Sequence, residues 1–215
     1  MKEYPVIFNS EMVRAFLDGR KTQTRRVMKD QPEVIPPKDE CGVPGYWIPF
    51  NAGKTMVRNK MMTIACPFGQ VGDRLWVREA FGTQVRRDGL GGTGEFRVYR
   101  ASNPDAVKYT TACGKSVPVK WTPSIHMPRR ASRILLEITA VRVERLNDIS
   151  EEDARAEGAT PSQHIITPPE ALYRVGFSKL WRSIYGEESW DANPFVWVIE
   201  FKRVRGSDAD KNNQA

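Results

Sequence analysis

Two clusters of basic side chains are the parts of this sequence best suited to chemistry, because they can neutralise phosphate groups. The first cluster surrounds a single acidic residue, Asp18, and consists of Arg14, Arg20, Lys21, Arg25, Arg26 and Lys29. The second consists of Arg129, Arg130 and Arg133. Each neutralised phosphate releases condensed counterions, so such clusters are typical of nucleic-acid binding. The alternative is a solvated face on a mildly basic protein.

Signals for metal chemistry are weaker than the basic clusters. The chain has two histidines, His126 and His164, and a zinc site could be assembled from Cys41, Cys66, Cys113 and His126. A zinc site needs about four converging ligands, usually in closely spaced pairs, and the chain has no CxxC motif. An odd number of cysteines also argues against a disulfide framework. The sequence therefore predicts unligated thiols, no metal and no cofactor.

Composition excludes several classes of protein. The chain has 215 residues, a net charge of +7 and 40% hydrophobic residues, which is enough apolar material for a core. No apolar run approaches the roughly 18 residues of a membrane span, and MKEYPVIF lacks a signal-peptide core. We expect a cytoplasmic protein without a membrane partner. One domain is predicted over residues 1–204, followed by a disordered tail over 205–215.

The elements that must position these residues follow from alternation, helical periodicity and capping signals. Strands are predicted over residues 4–8, 22–28, 74–81, 95–100, 132–146 and 195–204. Helices are predicted over residues 10–18, 151–157 and 168–186, with Ser10 as the first N-cap and a capping box of Ser150 with Asp153. GLGGTG at residues 89–94 lacks a phosphate-loop pattern, so residues 82–94 are predicted to form a flexible hairpin loop.

Strands outnumber helices, and no strand–helix alternation is long enough for a doubly wound sheet. The fold class predicted from this order is α+β, a small, partly closed mixed β-barrel with helices packed on it. Segments rich in proline and glycine interrupt it. They are interpreted as two long insertions at about residues 30–70 and 83–130.

Several segments, in order, resemble the ASCH domain, a family of PUA-like β-barrels. GRKTQTRR at Gly19–Arg26 fits the signature G-x-K-x-x-[TE]-x-R, and GDRLWV at Gly72–Val77 is similar to the turn and strand of the family. The C-terminal half resembles the family's strand–helix–helix–strand ending through ITAVRVERLNDISEEDARAEG, FSKLWRSIYG and FVWVIEF. With WVREAF and PSIHMPRRASRI, the whole chain resembles the larger ASCH proteins of phages and prophages.

The resemblance implies a partner and, in some members, an activity. ASCH and PUA-like barrels are associated with RNA binding, and some small bacterial members are amidohydrolases that remove the acyl group from N4-acetylcytidine. Their functional residues are a Lys and a Thr of the signature and a Glu of the later short helix. Carried over position by position, these are Lys21, Thr24 and Glu157.

The chemistry implied for these residues has two open versions. Amide hydrolysis needs a nucleophilic water, a base and a donor for the developing oxyanion. Glu157 would act as the base, with Lys21 stabilising the oxyanion. Alternatively, a buried Lys21 would act as the base itself. Thr24 would orient the water or hydrogen-bond the substrate.

Seven further residues are predicted to bind nucleic acid or substrate: Gly19, Arg25, Arg26, Glu79, Arg129, Arg130 and Trp121. Structural roles compete with these functional ones. Lys21 would complement a helix C-terminus, Thr24 would be a strand residue and Glu157 would lie on a solvated helix face. Glu79 would pair with a neighbouring arginine, whereas Trp121, in a loop-like insertion, is a candidate for base stacking.

Three hypotheses of function follow. The first is a module that binds RNA or a modified nucleoside in a basic cleft. The second is an amidohydrolase acting on nucleosides of the N4-acetylcytidine type through Lys21, Thr24 and Glu157. The third and weakest is a phage accessory or morphogenesis protein that acts through protein contacts, with partners the sequence does not name.

Overall fold

The computed structural model describes residues 1–29, 31–35, 46–49, 66–87 and 93–204, and only the backbone of 32–35, 46–49, 86–87 and 93. The predicted tail over 205–215 and most of the first predicted insertion lie outside the described residues. Within the described residues, helices and strands are both present, so the α+β class is confirmed.

Eleven strands and four α-helices are formed by the described residues. The strands are β1 Glu3–Ile7, β2 Gln23–Val27, β3 Pro32–Ile35, β4 Tyr46–Pro49, β5 Arg74–Arg78, β6 Phe81–Arg87, β7 Thr93–Tyr99, β8 Val107–Thr110, β9 Ser116–Pro118, β10 Leu135–Arg145 and β11 Phe195–Arg203. The helices are α1 Ser10–Leu17, α2 Glu151–Ala156, α3 Leu172–Tyr185 and α4 Glu188–Asp191. Short 3-10 turns cover Ser124–His126, Arg129–Ala131, Leu146–Asp148 and Pro169–Ala171.

Five strands form the main sheet, in the order β1-β5-β10-β11-β2. Strand β1 runs parallel to β5, whereas β10 is antiparallel to β5 and β11 is antiparallel to β2. Three two-stranded hairpins accompany the sheet, namely β3–β4, β6–β7 and β8–β9. Among the described residues, no helix is both long and apolar enough to cross a membrane.

The chain divides into two compact units, each assembled from separate stretches of sequence. Unit 1 contains the described residues of 1–22, 71–139 and 201–204. Its core includes Val6, Val13, Leu75 and Leu136, all of them buried. The ring of Phe201 lies 6.1 Å from that of Phe8 and 6.2 Å from that of Phe16, so the last strand completes the packing of the first helix.

Unit 2 contains the described residues of 23–70 and 140–200. Its apolar cluster is formed by Leu146, Ile149, Ala154, Ala159, Phe177, Trp181, Val196 and Val198. Helix α3 contributes Phe177 and Trp181, as its helical spacing predicts. Gly176 lies against the preceding loop so closely that an added Cβ would be 1.9 Å from the Thr160 carbonyl oxygen.

The helices begin and end within a few residues of the positions predicted from the capping signals. Asn9, not Ser10, is the first N-cap, because its side chain accepts a hydrogen bond of 2.8 Å from the backbone of Met12. Ser150 caps α2 as predicted and accepts a bond of 3.0 Å from the backbone of Asp153. Helix α3 begins only at Leu172, because Pro169–Ala171 forms a 3-10 turn. It ends as predicted, before Gly186 with a φ of 93°.

The second predicted insertion contains more regular structure than its glycines suggest. The predicted strand over 74–81 ends at Arg78, and most of the predicted loop over 82–94 belongs to the paired strands β6 and β7. Gly82 is a strand residue because an added Cβ would lie 2.3 Å from Val119. The prediction of a loop there was wrong, since this glycine permits close packing and makes no turn.

Candidate functional site

The signature segment Gly19–Arg26 begins by wrapping around the end of α1 in unit 1. Gly19 adopts a φ of 74°, a left-handed conformation that glycine accepts without strain. The backbone amides of Arg20 and Lys21 both donate to the Ala15 carbonyl, at 2.9 and 3.0 Å. Gly19 is therefore explained by helix termination, and its predicted role in binding a ligand stays a prediction.

Lys21 is the most unusual residue of this segment, because its side chain is only 1% exposed. Lysine is almost never fully buried in proteins without a partner for its charge. Its ammonium nitrogen lies 5.5 Å from the centre of the Phe8 ring, within the range of a cation–π contact. Burial at the end of α1 is compatible both with a role at a ligand and with the alternative of complementing the helix C-terminus.

Thr24 and Arg25 belong to β2 in unit 2, where Thr24 pairs with Ile199 of β11 and is 1% exposed. The guanidinium of Arg25 is wholly buried. It donates to Glu144 at 2.9 Å, to Asp153 at 3.0 Å and to Glu157 at 3.3 Å. Arg25 thus organises three carboxylates, which is a structural task that the sequence did not reveal.

Glu157 caps the C-terminus of α2 and is 3% exposed, so the solvated helix face expected as its alternative role is wrong. Its backbone amide donates to the Asp153 carbonyl at 2.8 Å, and Gly158 follows with a φ of 80°. This turn directs the carboxylate inward, where Arg25 supplies a donor and a positive charge. Burial of Glu157 is thus a consequence of how the short helix ends.

A second arginine, Arg142 of β10, extends this charge network outward. It donates to Glu144 and Glu200, and to Asp153 at 2.9 Å. Partial burial disfavours its charged form, but the hydrogen bond and charge of Glu144, with Asp153 and Glu200, raise the pKa of Arg142 above its usual value. The network therefore keeps two cations among four carboxylates, the fourth being Glu157.

Asp153 is held ionised by the same network. Burial alone would raise the pKa of its carboxyl group, yet contacts with the Gln23 amide and with Arg25 and Arg142 outweigh burial and lower that pKa. The amide of Gln23 also donates to the Asp153 backbone carbonyl at 2.8 Å. Strand β2 is thereby tied to α2 through both Gln23 and Arg25.

Glu79 forms a separate buried ion pair in unit 1. Both of its oxygens accept hydrogen bonds from Arg133, at 2.8 and 3.0 Å, and Arg133 stacks 4.1 Å from the centre of the Tyr99 ring. Burial raises the pKa of Tyr99, whose hydroxyl donates to the Ala131 carbonyl at 2.9 Å. Glu79 therefore pairs with an arginine, as its alternative structural role predicts.

The remaining predicted binding residues are more accessible. Arg129 is exposed and forms a two-pronged contact with Glu3, at 2.7 and 3.2 Å, while Arg130 is exposed. Trp121 is half-buried beside Gly82, and Arg26 is half-buried on β2 opposite Trp197. Exposure leaves the guanidinium of Arg130 available to a phosphate.

Metal-ligating side chains do not gather in the part of the chain that the structure describes. Within those ranges, no group of three or more His, Cys, Asp or Glu residues could hold an ion. Cys66 and Cys113 are free thiols, and burial raises the pKa of Cys66. Cys41 lies outside the described residues.

The charge network is the feature that sequence reasoning missed. Its members are Gln23, Arg25, Arg142, Glu144, Asp153, Glu157 and Glu200. One signal was present, because Arg142 and Glu144 alternate with apolar residues along β10 and so share a face. Comparison of the chain with protein-family models, with curated proteins and with solved structures gave no match.

Proposed function

We propose that this chain is an ASCH domain with a PUA-like barrel that binds RNA or a modified nucleoside. The proposal rests on the motifs from Gly19 to Arg26 and on the excess of basic residues. The resemblance assigns Lys21, Thr24 and Glu157 to the base. Arg26, Arg129 and Arg130 are the cations assigned to phosphate.

Burial of the three residues singled out by the resemblance is the observation that carries the proposal. Lys21 and Thr24 are each 1% exposed, and Glu157 is 3% exposed. Lys21 and Glu157 are ionisable, and ionisable side chains are costly to bury. If these side chains only filled the core, apolar residues would suffice. Apolar residues often stabilise a protein as much as a buried ion pair or more.

Titration calorimetry with cytidine and N4-acetylcytidine tests nucleoside binding. We expect Lys21→Met to weaken binding by about tenfold or more, the usual effect of losing a hydrogen bond to a charged group. Lys202→Met is the matched control, because Lys202 is a largely exposed lysine of the same unit. Glu157→Gln should weaken binding much less, because glutamine keeps an acceptor oxygen at the same position and removes only a negative charge near the phosphates. An absence of binding by nucleosides and by RNA, with the protein folded, would contradict the proposal.

Amide hydrolysis is the second candidate, and the specific observation that favours it is that Lys21 of unit 1 and Glu157 of unit 2 are each almost fully buried. In this version, Glu157 takes a proton from water as the water oxygen attacks the acetyl carbonyl of N4-acetylcytidine. Lys21 stabilises the oxyanion that forms, and Thr24 orients the water. Cleavage of the C–N bond and proton transfer to the leaving nitrogen then yield acetate and cytidine.

Chromatography of N4-acetylcytidine incubated with the protein tests this second candidate. We expect Glu157→Gln and Lys21→Ala to abolish turnover without loss of folding. Glu144→Gln is the matched control, because it also removes one carboxylate from Arg25 and should retain turnover. Equal losses in Glu144→Gln and Glu157→Gln would mean that Glu157 only supports the ion network. No turnover by the folded wild-type protein would leave nucleoside binding as the function.

A further inference from the structure

A large excess of positive charge lies in one stretch of unit 1, apart from the basic cluster around Asp18. Residues 93–133, here called the basic segment, contain eight Lys and Arg residues and two Asp and Glu residues. That excess of six accounts for most of the net charge of +7. The segment contains β7, the hairpin β8–β9 and the turns that lead to β10.

Most of these cations face solvent and are not neutralised by a neighbouring acid. Arg129 and Arg133 pair with Glu3 and Glu79. Six others are exposed and form no ion pair with any described residue: Arg97, Arg100, Lys108, Lys115, Lys120 and Arg130. Such a surface attracts a polyanion, because each neutralised phosphate releases condensed counterions.

Two aromatic rings are exposed on the same pair of hairpins. Phe96 of β7 is 49% exposed and Tyr109 of β8 is 42% exposed. Large aromatic side chains are ordinarily buried, so exposed ones among cations are typical of surfaces on which bases stack. Half-buried Trp121 lies shortly after β9 in the same segment.

The two hairpins pack firmly against each other. Phe81 of β6 exchanges backbone hydrogen bonds of 2.7 and 3.2 Å with Thr122, which follows the β8–β9 hairpin, and a bond of 3.4 Å from the Val119 amide to the Ala106 carbonyl closes the base of that hairpin. Gly82 leaves no room for a side chain against Val119. A platform fixed in this way loses little conformational entropy when a ligand binds.

We infer that the basic segment binds a single-stranded polynucleotide, with bases stacked on Phe96 and Tyr109 and phosphates held by Arg100, Lys108, Lys115 and Lys120. This inference rests on the proposed function and deepens it, because it names single strands as the ligand and the basic segment as the surface that holds them. A duplex is excluded as the preferred ligand because its bases are already stacked on one another and cannot cover these rings.

Fluorescence anisotropy with a labelled oligouridylate of about 12 nucleotides, within the range of single-strand sites, tests the stacking. We expect Phe96→Ala and Tyr109→Ala each to weaken binding by about 5-fold to 100-fold. Tyr185→Ala is the matched control, because it removes a similarly exposed ring from α3 and should change nothing. Unchanged affinity in both hairpin variants would overturn the inference.

The salt dependence of the same binding tests the phosphate contacts. Replacing Lys108, Lys115 and Lys120 by Gln should reduce the slope of log K against log salt by about 2. The control replaces Lys2, Lys179 and Lys202, which are exposed lysines outside the segment, and should keep the wild-type slope. An equal reduction in both triple variants would mean that net charge alone is responsible and would overturn the inference.

Further arms identify the ligand and separate this inference from the proposed function. Binding of either single-stranded RNA or single-stranded DNA supports the inference. The ratio of the two affinities shows which of them is the preferred ligand. Tighter binding of duplex, or equal competition by polyglutamate, overturns it. Nucleoside binding or turnover should be unaffected in the hairpin variants. If nucleosides bind while oligonucleotides do not, the inference fails and the proposed function stands.

Discussion

The guanidinium of Arg25 and the carboxylate of Glu157 meet at 3.3 Å in unit 2, and both side chains are buried. Two residues that were predicted to serve a ligand separately are therefore partners in the folded chain. Each of these two charges needs the other, because a buried ion without a partner strongly destabilises the folded protein. The pair links the signature segment to the short helix α2.

Replacing Arg25 by Gln should destabilise the protein by about 3–5 kcal/mol, because it leaves Glu157 and its neighbours without their central cation. Urea unfolding followed by circular dichroism measures this loss. Arg155→Gln is the control, since Arg155 is exposed on α2 and its change should stay within about 0.5 kcal/mol. Equal stabilities for the two variants would mean that the ion network contributes nothing to folding.

Gly176→Ala should destabilise unit 2 by about 1–3 kcal/mol, although alanine is the better helix former. The reason is steric, because the new Cβ would lie 1.9 Å from the Thr160 carbonyl oxygen. Thermal unfolding measures the change, and Ser183→Ala on the exposed side of α3 is the control. A stabilised Gly176→Ala protein would show that the loop moves freely away from the helix.

Glu151→Ala should cost about 0.5–2 kcal/mol, the range for loss of a helix cap. Its carboxylate accepts hydrogen bonds from the backbone amides of Tyr173 and Arg174, at 2.5 and 2.9 Å. Ala171 at the N-cap position supplies no side-chain acceptor, so Glu151 of α2 caps α3 in its place. Glu152→Ala, an exposed neighbour on α2, is the control in the same unfolding experiment, and equal effects would contradict the capping role.

Acid should destabilise the protein through Asp153. The pKa of this carboxyl is lower in the folded chain than in the unfolded one, so the unfolded state binds protons first as the pH falls. The contribution of Asp153 is complete above its unfolded pKa of about 4 and is lost progressively as the pH falls from there through its lower folded pKa. Urea unfolding at about pH 6 and at about pH 3.5 should show a smaller pH dependence for Asp153→Asn than for the wild type. The same pH dependence in both proteins would contradict this assignment.

The elements with a regular pattern were predictable from sequence, and the reasons are local. Helices α1 and α2 carry capping residues and end in glycines, and the long strands β10 and β11 alternate or are continuously apolar. The first N-cap was misplaced by one residue, because Asn9 and Ser10 are both good capping types. Such an error is expected where two adjacent residues satisfy the same rule.

The parts that were not predictable depend on contacts between distant residues. Gly82 was interpreted as part of a loop, because only its contact with Val119 explains a glycine in a strand. The carboxylates around Arg25 come from β10 and α2, and no spacing in the sequence connects them with β2. The burial of Lys21 and Glu157 likewise follows from packing, which local sequence does not encode.

The position of Phe201 has a consequence for the order of folding during synthesis. Its ring packs against Phe8 and Phe16, which lie almost the whole chain away. The core around α1 therefore stays incomplete until the last strand has left the ribosome, and the first helix emerges long before its packing partner. Contacts this distant slow folding and expose apolar surface meanwhile. A chain that stops before β11 would lack Phe201, so the packing around Phe8 and Phe16 would stay incomplete.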